Sequence, residues 1–202
     1  MRFMPESRPY HHGDLRSALL AAAERTLREK GVAALSLREL AREVGVSHAA
    51  PGRHFKDKQA LLNALALSGY DRLARALDAA NDPALPFEPR FTAVARAYLA
   101  FAIDNAELLE LMYARKHGPD ASAQEQMVAA IERTVGSLEQ TFADAQKRGE
   151  LIEDDPQDLT LFTGAVLHGL AAFTANGTLA PETALAGVDK LVHRLLHGIK
   201  PR

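Results

Sequence analysis

Few residues in this chain have the types and spacing that chemistry needs. His168 sits in an apolar run, and with Asp158 or Glu139 it has the makings of a general acid–base pair. Nothing completes an enzyme around it. No nucleophile occupies a strained turn, no glycine-rich loop cradles phosphate, and no H-E-x-x-H spacing is present. The chain has no cysteine, which removes thiolate chemistry and suits a reducing compartment. His11 and His12 resemble a metal pair, but adjacent histidines ahead of a helix read as an arm, so neither metal nor cofactor is expected. A helical enzyme using His168 is the weakest reading.

A binding site is better supplied. Phe101, Met112, Tyr113, Phe142 and Phe162, with Gly164 and His168, provide apolar walls and one polar handle, the usual makeup of a small-molecule pocket. Ordinary core packing is the alternative for each of them. The most unusual stretch lies elsewhere. "GVSHAAPGRHF", residues 45–55, follows an amphipathic helix and ends in an aromatic anchor, yet carries Pro51 beside Gly52, the two poorest interior helix formers.

The elements that position these residues are helical almost throughout. Asp14 can cap a first helix whose stripe is Leu15, Leu19, Ala22, Ala23, Thr26 and Leu27, with Gly31 just past its end. Ser36 and Glu39 form a capping box that opens a short helix to Val44. Leu40 and Val44 share its inner face beside the small Ala41, Gly45 permits a left-handed turn, and Val46 plugs the corner. A second short helix capped by Ser47 completes a helix-turn-helix, the unit that lays its second helix into the major groove. With Ser47 as cap, Pro51 is the fourth helical residue and loses one hydrogen bond at most.

Asp57 caps a long helix along Leu61, Leu62, Leu65, Leu73 and Leu77. Three prolines in "NDPALPFEPR", 81–90, break the chain. Further helices are predicted near 91–115, 122–148, 156–175 and 181–198, with a second capping box at Ser122–Glu125 and a cap at Asp155-Pro156. The fold class is all-α. The expected organisation is an arm over 1–13, a helix-turn-helix domain over 14–60 linked by the helix 57–80, and a second domain over 81–202.

Charge follows the same division. Residues 1–58 carry 11 Lys/Arg against 7 Asp/Glu and four of the eight histidines, whereas the remainder carries 13 against 19. A basic front on an acidic body suits a nucleic-acid-binding head joined to a separate sensing or pairing domain. No run approaches 18 apolar residues and Met1–Tyr10 has no apolar core, so neither a membrane span nor a secretory leader is expected, and the location expected is cytoplasmic.

"SLRELAREVGVSHAAPGRHFKDKQALL", preceded by "LLAAAERTLREKG", resembles the N-terminal domain of TetR-type transcriptional repressors over about residues 14–65. "YHHGDLR", "SHAAPGRHF" and Val166-Leu-His168-Gly169 resemble a subgroup whose C-terminal domain carries a His-Gly motif. The resemblance implies a three-helix head that binds double-stranded DNA at a near-palindromic operator. It also implies an all-α domain that encloses a small apolar effector and pairs two protomers through its last two helices.

By position, Arg38, Ser47, His48, Ala49 and Arg53 are then candidates for base edges or phosphates, and Ser36, His54 and Lys58 for phosphates. Arginine suits bidentate contact with guanine, whereas lysine and hydroxyls fix register on the backbone. Leu159, Phe162, Val166 and Leu170 from one segment, with Leu185, Val188, Leu191, Val192 and Leu195 from the other, are expected to pair the homodimer as a four-helix bundle. Two positions depart from the pattern: Gly52 stands where the family usually has Tyr, and Gly164 where the subgroup often has Trp. A purely architectural DNA-binding dimer without effector is the alternative to an effector-released repressor.

Overall fold

The structure, a computed structural model, describes residues 12–114 and 121–199; the first eleven residues of the expected arm, His11 among them, lie outside it. Among the described residues every regular element is helical: α1 (His12–Lys30), α2 (Leu37–Glu43), α3 (Lys58–Ala80), α4 (Phe87–Asp104), α5 (Ala106–Tyr113), α6 (Ala121–Lys147), α7 (Pro156–Ala175), α8 (Pro181–Ala186) and α9 (Val188–Ile199). The chain forms two compact units that divide inside α3, between Leu65 and Ala66.

The first unit buries Leu15, Leu19, Ala22, Ala23 and Leu27 of α1 against Leu40, Ala41, Phe55 and Leu61. The stripe read from α1 is thus its core face, although the helix starts at His12 and Asp14 lies within it. Gly45 makes the turn after α2. Its φ of 75° is the left-handed conformation, its N–H bonds the Arg42 carbonyl at 3.2 Å, and the Val46 N–H bonds the Ala41 carbonyl at 2.9 Å. That pair of bonds closes the last carbonyls of α2 and turns the chain sharply. The expected capping box does not form. Ser36 has the extended backbone of a cap but no side-chain cap bond, and Glu39 pairs instead with Arg42. Asp57 does cap α3, its carboxylate accepting from the Ala60 N–H at 2.7 Å.

The second unit is organised around α4, which packs against α7 and α9. The segment predicted over 91–115 is two helices. Asn105 breaks it, its side-chain amide donating to the Phe101 carbonyl at 2.8 Å while its backbone carbonyl opens α5. The segment predicted over 181–198 is also two helices, parted at Gly187. Asp155 caps α7, accepting from the Gln157 N–H at 2.9 Å with Pro156 in the first turn. Ser122, expected as a cap, lies inside α6.

The proline-rich stretch before α4 is anchored rather than loose. Asn81 accepts from Arg90 Nε at 2.6 Å and donates to Ser137 Oγ and Thr141 Oγ1 at 2.9 and 3.0 Å. Close packing recurs where α5 meets α3: a Cβ on Gly69 would lie 2.5 Å from Met112 Sδ, so any other residue there would have to displace the Met112 side chain. An 18-residue window of α7 has a mean hydropathy of 1.3, enough to cross a bilayer by length and composition alone, and 28% of it is buried.

Candidate nucleic-acid interface and ligand cluster

The stretch predicted as a second helix is a chain of single turns. The Ala50 N–H bonds the Ser47 carbonyl at 3.0 Å, the Arg53 N–H bonds Ala50 at 3.2 Å, and the His54 and Phe55 N–H groups both bond Pro51 at 2.9 Å. Only Pro51–Arg53 is regular, as one 3-10 turn, and the residue before it, Ala50, makes no side-chain cap. Ser47 therefore caps no helix. Proline explains why: in an α-helix the N–H of residue 51 would bond the Ser47 carbonyl, Pro51 has none, and the Ala50 N–H takes that acceptor instead. Burial then fixes the segment. Pro51 and Phe55 point into the core, with the Arg16 guanidinium 5.6 Å from the Phe55 ring centroid.

This anchoring leaves Ser47, His48, Ala49, Gly52 and Arg53 exposed on one short stretch. Charge pairing separates the cations of this unit. Arg25 is bonded to Glu43 at 2.7 Å, Arg28 lies 3.6 Å from Glu24, and Arg42 is held by Glu39. Arg38 and Arg53 are exposed and have no carboxylate partner among the described residues. Gly52 keeps open space beside it, since a Cβ there would meet nothing within 4 Å. Two of the expected phosphate contacts are otherwise engaged. Lys58 donates to the Ala33 carbonyl at 3.2 Å, and His54 turns its Nε2 into the interior, where it finds no partner. Ser36, half-buried, keeps its hydroxyl out of the helix cap.

In the second unit His168 is the centre of a polar cluster. Its Nδ1 lies 3.0 Å from Tyr98 Oη, and the Tyr113 ring stands 4.2 Å from the imidazole. Burial pushes the Tyr98 phenol far up, a shift that the adjacent Tyr113 reinforces, and burial holds His168 below the ordinary histidine range. The Tyr98 hydroxyl thus bridges the His168 imidazole and Tyr113. Nearby, Tyr70 donates to the Met112 carbonyl at 3.0 Å and is pushed up to about 12, chiefly by burial. Neither Asp158 nor Glu139 is bonded to His168, so the acid–base pair is not assembled.

Of the seven residues expected to line a pocket, His168 and Tyr113 come together here, and half-buried Gly164 lies one turn before His168 on α7. Phe101 is buried beneath the Arg72 guanidinium, and Met112 is buried against Gly69. Phe142 does not belong to the cluster: its ring packs at a tilt against Phe87 and Phe91, with centroids 5.4 and 5.5 Å away. Phe162 faces outward at 52% exposure. Tyr98, one of the wider set of aromatic positions on these helices, joins the cluster through its hydroxyl, which a buried tyrosine usually pairs.

The residues expected to pair protomers divide as well. Leu159, Val188 and Val192 are fully covered by the unit's own helices and have nothing left to offer a partner. Val166, Leu170, Leu185, Leu191 and Leu195 are half-buried. Phe162 is exposed, and so are two residues not anticipated, Leu161 at 72% and Phe173 at 53%.

Comparisons with known proteins agree with both halves of this description. Residues 19–65 match the family described as bacterial regulatory proteins, tetR family, and residues 91–199 match a tetracyclin repressor-like C-terminal domain. HTH-type transcriptional regulators of Mycobacterium tuberculosis and Mycobacterium bovis are 26% identical over 151 residues, 72% of this chain and 64% of theirs, so the match spans just under two thirds of those relatives. A solved protein of unknown function from Rhodococcus sp. RHA1 is 43% identical, with a TM-score of 0.86 over 96% of this chain and 100% of that one. A tetR-family regulatory protein from Rhodococcus RHA1 shares the fold at 20% identity, with a TM-score of 0.74 over 93% of this chain and 98% of its own.

Proposed function

The chain belongs to the tetR family of DNA-binding transcriptional regulators, which are not enzymes, and from that premise we propose a repressor released by a small, uncharged, largely apolar effector. The observation that carries the effector half is the Tyr98–His168–Tyr113 cluster. It gathers a buried tyrosine, a half-buried histidine and an exposed tyrosine on an apolar helical unit, and burial disfavours the charged forms of both the Tyr98 phenol and the imidazole. A ligand offering a carbonyl or hydroxyl amid hydrocarbon suits it. A fully ionised ligand would bring its desolvation cost with no opposite charge in the cluster to offset it.

Two protomers pair through α7 and the neighbouring face of α9, and each presents its 47–53 segment to one major groove. The half-sites lie about one helical turn, roughly 34–36 Å, apart. The support is α7 itself, whose Leu161, Phe162 and Phe173 lie open to solvent in a single protomer. In the head, Arg38 and Arg53 are the exposed arginines without a carboxylate that lie in or beside the helix-turn-helix, with Ser36, Ser47, His48 and Ala49 beside them and Lys58 and His54 in reduced roles. Effector binding favours a conformation in which the spacing of the two heads is wrong, and DNA affinity falls by the ligand's differential affinity for the two states.

The test has two arms. Selection from a random duplex pool should return a near-palindrome, and a compound that then weakens binding to it should lose its effect in His168→Ala while basal DNA affinity stays as it was. No selectable site removes the regulator reading. A site that no compound weakens leaves the architectural dimer.

A further inference from the structure

We propose that His193 and His197 on α9, with Glu88 on α4 behind them, form a binding site for a divalent transition-metal ion of the class that favours imidazole, such as zinc or nickel. The two histidines are one helical turn apart, and their Nε2 atoms converge to 3.1 Å. Two nitrogens bound at about 2.0–2.1 Å to one ion are separated by roughly 2.9–3.4 Å, from octahedral to tetrahedral geometry. The rings stand nearly perpendicular, at 81° with centroids 4.7 Å apart, so neither ring stacks on the other.

The second ring nitrogen of His193 supports this assignment. Its Nδ1 lies 3.1 Å from Glu88 Oε1, which holds the proton on Nδ1 and leaves the Nε2 lone pair facing His197. A carboxylate behind a ligating imidazole is the usual outer shell of a metal-bound histidine, where it fixes both tautomer and orientation. Without an ion, one of the two facing nitrogens must carry the hydrogen between them. With an ion, His197 moves that proton to its own Nδ1, and both lone pairs turn to the metal.

Asp189, one turn before His193, is not a third ligand, because Arg96 engages both of its carboxylate oxygens at 3.0 and 3.1 Å. No group of three or more ligating side chains occurs among the described residues. The protein therefore supplies two nitrogens, and water or a further ligand completes the sphere. Imidazole donors favour zinc, nickel or copper over calcium and magnesium. A bound ion clips the last two turns of α9 and, through Glu88, ties them to α4.

Titration of the full-length chain with zinc or nickel chloride by calorimetry tests the site. One ion per chain is expected, with a rise in Tm. His193→Ala and His197→Ala should each abolish it, with unchanged far-ultraviolet circular dichroism showing that the fold survives. Glu88→Gln should weaken it about tenfold, at the low end of what loss of an outer-shell partner costs. The double variant His11→Ala/His12→Ala should leave it intact, which separates it from the arm. No uptake of either ion at millimolar concentration, or uptake that persists when both His193 and His197 are alanine, overturns the proposal.

Discussion

The two compact units differ most in how much large apolar surface each leaves exposed. In the first, Val32 is the one large hydrophobic left exposed among the described residues, the rest being buried or half-buried, and Arg38 and Arg53 stand without a carboxylate. In the second, Leu161, Phe162 and Phe173 lie open, and its exposed cations are mixed: Arg96, Arg133 and Arg148 have acidic partners, whereas Arg75, Lys190 and Arg194 have none among the described residues. Each deficit describes what would fill it. Unpaired guanidinium groups await anions, and an uncovered apolar helix awaits another apolar surface. The second deficit is the larger, because shedding water from side chains of this size is worth about 1.5–3 kcal/mol apiece.

The largest expected effect follows from that surface. Phe162→Glu places a carboxylate in the proposed pairing face of both protomers. An uncompensated buried charge costs about 3–5 kcal/mol, so the dissociation constant of the pair should rise at least roughly a hundredfold, read by sedimentation. Val192→Glu should instead unfold the protomer, since Val192 is fully buried within it. A dimer that survives Phe162→Glu breaks the contrast between the units.

Next comes Arg53→Ala, expected to lose about 1–3 kcal/mol of operator binding if it reads a base, or to lower the salt slope by about one if it meets a phosphate. Fluorescence anisotropy across a salt series distinguishes the two, and unchanged binding removes Arg53 from the interface. Gly52→Tyr is smaller and of opposite sign. The open space at Gly52 accepts the side chain, and one added hydrogen bond is worth about 0.5–1.5 kcal/mol of DNA affinity. If every sequence gains alike, the hydroxyl meets phosphate; if the preferred site shifts, it meets a base.

Gly164→Ala acts on stability alone. Nothing lies within 4 Å of a Cβ there, so the usual helix-interior gain of about 0.5–1 kcal/mol should appear in denaturant unfolding. A loss would mean that the bundle closes on this position when protomers pair.

The smallest effect is in pH. Burial depresses the folded-state pKa of His168, so the unfolded chain holds this proton more tightly. Its contribution to stability is complete above the ordinary value of about 6.5 and declines as pH falls through that value toward the folded one. His168→Gln should therefore flatten the fall in Tm between neutral pH and about pH 5, and parallel curves for the two proteins would count against a buried neutral imidazole.

Local chemistry in the sequence determined the all-helical class, the turn at Gly45, the caps at Asp57 and Asp155, and the buried stripe of α1. Each is settled within a few residues: a left-handed φ that glycine accepts, a carboxylate within reach of its own helix, an apolar face at helical spacing. Tertiary structure decided what such rules leave open. Ser36 and Glu39 have capping-box spacing, but Arg42 takes the glutamate. Ser47 is a good cap, but Pro51 has no N–H to continue the helix. Leu159, Val188 and Phe162 are alike as apolar residues, yet the first two are spent inside the protomer and the third is not. Periodicity reports that a side chain avoids water and says nothing about which surface will cover it, and that choice belongs to the packing of α4, α7 and α9.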